Sequence, residues 1–155
     1  MNNFHQKGIS IIELLVVFAG IILLVLIILP QFSKLRENQV LKTAVNDTLS
    51  ALNKARGKTL ASFNSSSYGV HFQSDKAIIF SGTAFSAPAS DNEDINIISP
   101  ASITNVTLNS VSGSSGEMYF NRLTGMPSKT GTITISSPSF SKIITISSTG
   151  VASSN

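Results

Sequence analysis

The stretch KGISIIELLVVFAGIILLVLIILP, Lys7 to Pro30, decides how the rest of the chain is read. From Ile9 to Leu29 it is apolar, interrupted only by Ser10 and Glu13, with Gly20 inside it. As an α-helix these residues would be about 31 Å long at ~1.5 Å per residue, which matches the hydrocarbon core of a bilayer. Pro30 closes the run and is expected to kink or loosen the helix at the preceding turn. Glu13 is the anomaly. A carboxylate inside a spanning segment costs roughly 2.5–3.5 kcal/mol on insertion scales, so it calls for a partner. The bland alternative is a carboxylate near the membrane face that snorkels or takes up a proton.

On the N-terminal side, Met1 to Gly8 is polar and carries Lys7. On the C-terminal side the pattern becomes amphipathic. Phe32, Leu35, Leu41, Val45, Leu49, Leu52, Leu60 and Phe63 recur mostly at three- and four-residue steps, with Ala44, Thr48 and Ala55 in the same stripe. Lys34, Glu37, Asn46, Asp47, Lys54 and Lys58 fall largely off it. That is one helix face packing on something. The reading is a helix from about Ile9 to about Ser62, weakened near its end by Gly57.

After the turn signal Asn64–Ser67 the composition shifts to Ser, Thr, Ile, Val, Phe and Gly. Short runs read as strands: Tyr68–Phe72, Ala77–Ser81, Ile95–Ile98, Val106–Asn109, Glu117–Asn121, Thr132–Ser136 and Ile143–Ser147. Gln73-Ser74-Asp75 and Ser137-Pro138-Ser139 read as hairpin turns, Gly82–Asp94 and Ser110–Gly116 as loops, and Ser153-Ser154-Asn155 as a frayed end. The fold class expected is α+β, a long N-terminal helix packed on an antiparallel β-domain.

Composition narrows the function. Hydrophobic residues are 42% of the 155 and charged residues only 12%, the latter about half the usual share of a soluble domain. The formal net charge is +3 with no long basic run, which makes no strong case for nucleic acid. There is no cysteine, hence no disulfide, thiolate nucleophile or Cys-ligated metal. Histidines are two, His5 and His71. No Ser/His/Asp order, metal-ligand spacing or Gly-rich phosphate loop can be assembled, so no enzyme and no cofactor is expected. His71 alternates with Val70 and Phe72 and is expected at solvent or a polar rim. Phe72, Phe80 and the Tyr119-Phe120 pair read as core aromatics. Asp91-Asn92-Glu93-Asp94 reads as a solvated acidic loop, without the glycine spacing of a calcium site. Lys54-Ala55-Arg56-Gly57-Lys58 reads as a solvated helix face that complements the helix dipole. An ordinary secretory signal fits poorly, because the apolar run is too long and no small-x-small site follows it. A plain signal-anchor gives no reason for Glu13.

The junction Lys7-Gly8-Ile9-Ser10-Ile11-Ile12-Glu13 resembles the class III leader of type IV prepilins and pseudopilins, with Pro30 at the spacing where many members carry a proline. The resemblance implies cleavage after Gly8 by a membrane aspartyl prepilin peptidase, with Ile9 as the new, often N-methylated, first residue. It implies that Glu13 pairs with the chain-start amine of a neighbouring subunit as helices stack in a filament. The implied organisation is a removed leader at 1–8, a transmembrane and polymerisation helix at 9–30, an amphipathic helix at 31–63 and a periplasmic β-domain at 64–155.

Further on, Tyr68-Gly69-Val70-His71-Phe72 with Ala77-Ile78-Ile79-Phe80 resembles the first hairpin of the H-type minor pseudopilins and T-type minor pilins (the GspH/FimT family). Phe120-Asn121-Arg122-Leu123-Thr124-Gly125-Met126-Pro127 and Ile144 to Val151 resemble their later strand-turn and closing strand. Together these imply a minor subunit of a type II secretion pseudopilus or type IV pilus. Such a subunit is held first in the bacterial inner membrane as a single-pass protein with its C-terminal domain outside the cytoplasm. Its partners would be the peptidase and other pilin or pseudopilin subunits. The alternative is a minor pilin of a DNA-uptake or adhesive pilus. T-type minor pilins can bind DNA through basic residues towards the C-terminus, and here the tail from Ile143 to Asn155 has neither Lys nor Arg.

Overall fold

The structure is a computed structural model that describes residues 10–155. The chain divides into two compact units, Met1–Arg36 and Glu37–Asn155. One long helix, α1 (Ile11–Leu60), begins in the first and ends in the second.

In the first unit the described residues are the start of α1. The Ser10 carbonyl accepts the Leu14 amide at 3.1 Å, the first intrahelical bond, with Ser10 itself outside the helix. Side chains from Ile11 to Leu29 stand exposed, a run long and apolar enough to cross a membrane. Pro30 does not end the helix, as residues on both sides of it are helical. A proline removes one backbone hydrogen bond, and the helix carries on through that loss.

In the second unit the helix buries Leu41, Ala44, Val45, Thr48, Ala51, Leu52, Ala55 and Thr59, at steps of one, three and four. The expected stripe is corrected at both ends. Phe32, Leu35, Leu60 and Phe63 are exposed, Leu49 is half-buried, and Thr59 takes the last seat. Leu60 sits about 100° round the helix from Thr59, since 3.6 residues make a turn. The chain then breaks sharply. Ser62, Asn64 and Ser65 have φ of 48°, 49° and 52°, the left-handed region that Asn tolerates best. A single 3-10 turn, Phe63–Ser65, leads to the first strand.

Nine strands follow: β1 (Tyr68–Phe72), β2 (Lys76–Ser81), β3 (Glu93–Asn96), β4 (Ser102–Leu108), β5 (Val111–Gly113), β6 (Gly116–Tyr119), β7 (Gly131–Ser136), β8 (Ser141–Ile146) and β9 (Ala152–Ser154). They form a four-stranded sheet in the order β3-β2-β1-β6 and a five-stranded sheet in the order β5-β4-β7-β8-β9. All pairings are antiparallel. The two expected turns close hairpins, with Gln73 N–H on Lys76 O at 2.9 Å and Ser137 N–H on Phe140 O at 2.7 Å. Four expectations need correction. β3 starts at Glu93, inside the expected acidic loop, and β4 starts at Ser102, four residues early. β5 lies within the expected Ser110–Gly116 loop. β9 pairs with β8 in place of a frayed end.

The core is one cluster filled from three sides. The helix supplies the face just named, and the four-stranded sheet supplies Tyr68, Val70, Phe72, Ala77, Ile79 and Met118. The five-stranded sheet supplies Ile103, Val106, Leu108, Ile133, Ile135, Ile144 and Ile146. Period-2 alternation alone would put Ile103 and Val106 on opposite faces. The β4–β7 register shifts between Ile103 and Asn105, and that bulge at Thr104 turns both inward. The outer face of this sheet is lined with hydroxyls. Thr104 and Ser136 lie 3.1 Å apart, Ser136 and Ser141 3.1 Å, and Thr107 and Ser112 2.9 Å. The Ser/Thr richness of the second half is thus the polar face of a half-buried sheet.

At Gly69, close approach requires a glycine. A Cβ at Gly69 would collide with the Phe80 ring and the Met118 carbonyl. Its absence lets Phe80 lie flat across β1 from the neighbouring strand, where Gly69 and Phe80 are register partners.

Candidate functional site

Of the residues singled out in the sequence, Gly8 and Ile9 lie outside the described residues. Glu13 lies in the first turn of α1, three residues after Ser10. It is exposed, on a helix whose neighbouring side chains are exposed and apolar. From Ser10 to Ser33 it is the only ionisable residue. A negative group here is favoured by the partial positive charge of the helix start. It is also the one position in the run able to take a directional, charge-assisted contact from outside the helix. Pro30 lies within α1, between the apolar run and the amphipathic half.

The basic cluster at the other end of α1 is a partly solvated face, as expected, but its charges are paired. Lys54 and Lys58 both engage the Glu93 carboxylate, the Lys58 pair at 3.4 Å. Arg56 donates from Nε to Gly125 O at 3.1 Å and from Nη2 to Thr149 O at 3.0 Å. The helix end is thereby tied to β3 and to two turns of the β-domain. The hydrogen bond from Lys54, with Lys58 behind it, holds the Glu93 carboxyl below its ordinary pKa. The acidic stretch is corrected along with the basic one: Glu93 and Asp94 are edge-strand residues with lysine partners, Asp94 meeting Lys76 at 2.7 Å. A charge pattern in sequence says nothing of which opposite charge a distant strand will bring, so neither pairing was readable there. These groups pair within the fold, so Lys54, Arg56 and Lys58 do not form a free basic patch.

His71 also departs from expectation. Its side chain is largely covered, stacked on Phe85 with ring centroids 4.1 Å apart and planes 6° from parallel. Its Nδ1 is buried without a hydrogen-bond partner, 3.7 Å from Glu117 Oε2. Burial pushes the His71 pKa below its ordinary value, and the Glu117 carboxylate offsets this in part. Phe85 sits in the expected loop and gave no sign in sequence of reaching back to β1.

Among the described residues no group of three or more His, Asp or Glu is placed to hold a metal ion. A cleft of about 370 Å³ opens between β4, β5 and β6 and is walled in part by Val106, Leu108, Val111 and Gly116. It is apolar and shallow, with Glu117 and Lys129 at its edge. The features with chemical character are therefore the carboxylate at the head of an exposed apolar helix and the covered histidine. Compared with protein-family models, curated proteins and solved structures, the chain matches none.

Proposed function

We propose that this chain is a membrane-anchored filament subunit of the type IV pilin and pseudopilin kind. In this reading it is cut after Gly8 by a prepilin peptidase, held in the bacterial inner membrane by Ile9–Pro30, and assembled through that helix. The β-domain stays outside the cytoplasm. The role is structural, by packing, with no catalysis and no cofactor. The observation that carries this reading is Glu13: a single carboxylate in the first turn of an exposed apolar helix, one turn beyond the Gly8-Ile9 junction. A charge there is costly in a bilayer and needs a counter-charge. The amine created at Ile9 in a neighbouring copy supplies one.

Support for the finer assignment, a minor subunit like the H-type pseudopilins and T-type minor pilins, is the β1–β2 hairpin with Gly69 under Phe80, together with the order of strands and turns that follows. A nucleic-acid role gains nothing, since Lys54, Arg56 and Lys58 are occupied within the fold. The test is co-expression with a prepilin peptidase. The wild-type chain should shorten on a gel by the length of the leader. Replacement of Gly8 by a bulky residue should leave it long. A wild-type chain that stays full length beside an active peptidase would refute the reading.

A further inference from the structure

In a two-sheet unit, only one face of each sheet meets the shared core. On the four-stranded sheet the outward positions, by alternation, are Gly69 and His71 on β1, Lys76, Ile78 and Phe80 on β2, and Glu117 and Tyr119 on β6. Asp94 on β3 completes a row that runs Glu117, His71, Ile78, Asp94 across all four strands. An outward face of this kind is expected to be wet. Ile78 and Phe80 are nevertheless only 3% and 2% exposed, and neither belongs to the shared core.

What helps cover them is the segment from Gly82 to Asn92. Phe85 lies at its centre, stacked on His71 and edge-on to Phe80 at 5.8 Å and 67°. Its amide donates to Glu117 Oε2 at 3.2 Å. Among the described residues this is the one hydrogen bond that ties residues 83–91 to the sheet. The far half of the segment is fastened to itself, Asn92 Nδ2 to Ser86 O at 2.9 Å and Asn92 N to Ala89 O at 3.3 Å. At the near end Gly82 has φ 105° and open space beside it, a backbone state that suits a pivot. A cleft of about 350 Å³ remains between segment and sheet, lined by Lys76, Ile78, Phe85, Ala87, Pro88 and Asn92. The segment is a strap with one rivet, and the rivet is Phe85.

We propose that this strap is an acid-released cover: when His71 takes a proton, Phe85 lets go and the Ile78–Phe80 face is uncovered. The geometry sets the conflict. His71 is pressed between the Phe85 ring and the sheet, its Nδ1 has no partner, and the nearest acceptor, Glu117 Oε2, already holds the Phe85 amide. A proton on the imidazole places a charge on a ring that the Phe85 ring covers. Glu117 relieves it only in part. Asp94, on β3, is held by Lys76 of β2. The strap contributes Asp91, β1 adds no further charge, and Glu117 is the carboxylate that acts on His71. Burial keeps the covered imidazole below its ordinary pKa, so the covered form holds the neutral ring. Once uncovered, the ring moves back up toward its ordinary value and binds the proton first as pH falls. Acid therefore draws the strap toward the open form, beginning near that value.

Hydrogen exchange of the full chain in detergent micelles tests this at about pH 7.5 and about pH 5.5, either side of the ordinary histidine value. Exchange times are scaled for the intrinsic pH effect. The Phe85 amide, read in peptides that span it, should lose protection at the acid condition, while peptides from β4 and β7 keep theirs. His71→Phe preserves a ring under Phe85 and removes the titration, and should make strap protection independent of pH. If that variant fails to fold, His71→Gln serves the same purpose. Equal wild-type protection at both conditions, or an acid response that survives either variant, would overturn the proposal.

Discussion

Thr59 Oγ1 accepts the Tyr68 amide at 2.9 Å while donating to the Ala55 carbonyl at 2.9 Å, and Thr59 is wholly buried. One hydroxyl thus joins the last turn of α1 to the first residue of β1 across the break at Ser62–Ser65. Thr59→Val keeps the shape and strands the Tyr68 N–H. The expected cost is roughly 1–3 kcal/mol, the penalty of a buried unsatisfied donor. Urea unfolding followed by circular dichroism should show it as a lower midpoint. Thr59→Ser, which keeps the oxygen, should lose much less.

Leu52 and Leu60 form a second test, of which helix face is inside. Leu52 is 1% exposed and Leu60 is 44% exposed. Leu52→Ala should cost about 2–5 kcal/mol, transfer and cavity together. Leu60→Ala should cost well under half of that in the same unfolding experiment. Similar costs at the two positions would mean the helix is rotated from the face described.

The contrast between these two leucines also marks what could be read in the sequence. The apolar run, the helical period after it and the strands around Val70, Ile79, Ile133 and Ile144 were legible, because each is a local pattern with one period. Leu60 was misjudged because a threonine beside it holds the buried seat through a hydrogen bond, which periodicity does not weigh. β5 and β9 were missed because they are three residues long, mostly exposed and held by backbone pairing. Their side chains carry almost no signal. The start of β4 was hidden by the bulge at Thr104, which breaks the alternation that identifies a strand. Of the candidate site, Glu13 stands out from sequence alone. The Lys54–Glu93 and His71–Phe85 contacts do not, since each joins residues far apart in the chain.

Glu93 gives a pH prediction with a definite sign. Its folded pKa lies below the ordinary 4.5, chiefly through Lys54. A lowered carboxyl pKa contributes stability above the unfolded value, and that contribution is lost as pH falls through the folded one. Wild-type stability should therefore drop below about pH 4.5 more steeply than that of Glu93→Gln. The carboxylate is 39% exposed, so the difference should be small, about 1 kcal/mol at most, and should shrink in high salt.

Glu13→Leu tests assembly apart from insertion. The variant removes a costly charge from an apolar helix, so it should enter the membrane at least as readily as wild type. It should still be shortened at Gly8. It should fail to enter a filament or its tip complex, with a defect larger than that of Val16→Leu. Cross-linking of neighbouring helices in the membrane fraction measures this. Wild-type assembly by Glu13→Leu would remove the proposed pairing with the Ile9 amine.

The central claim is that the chain works as a processed subunit beginning at Ile9. Intact-mass spectrometry of the protein recovered from membranes and sheared filaments, with sequencing of its first residues, measures this directly. The account predicts a chain that starts Ile9-Ser10-Ile11-Ile12-Glu13, with or without an added methyl on the Ile9 amine. A chain in assembled material that still carries Met1 to Gly8 would contradict it.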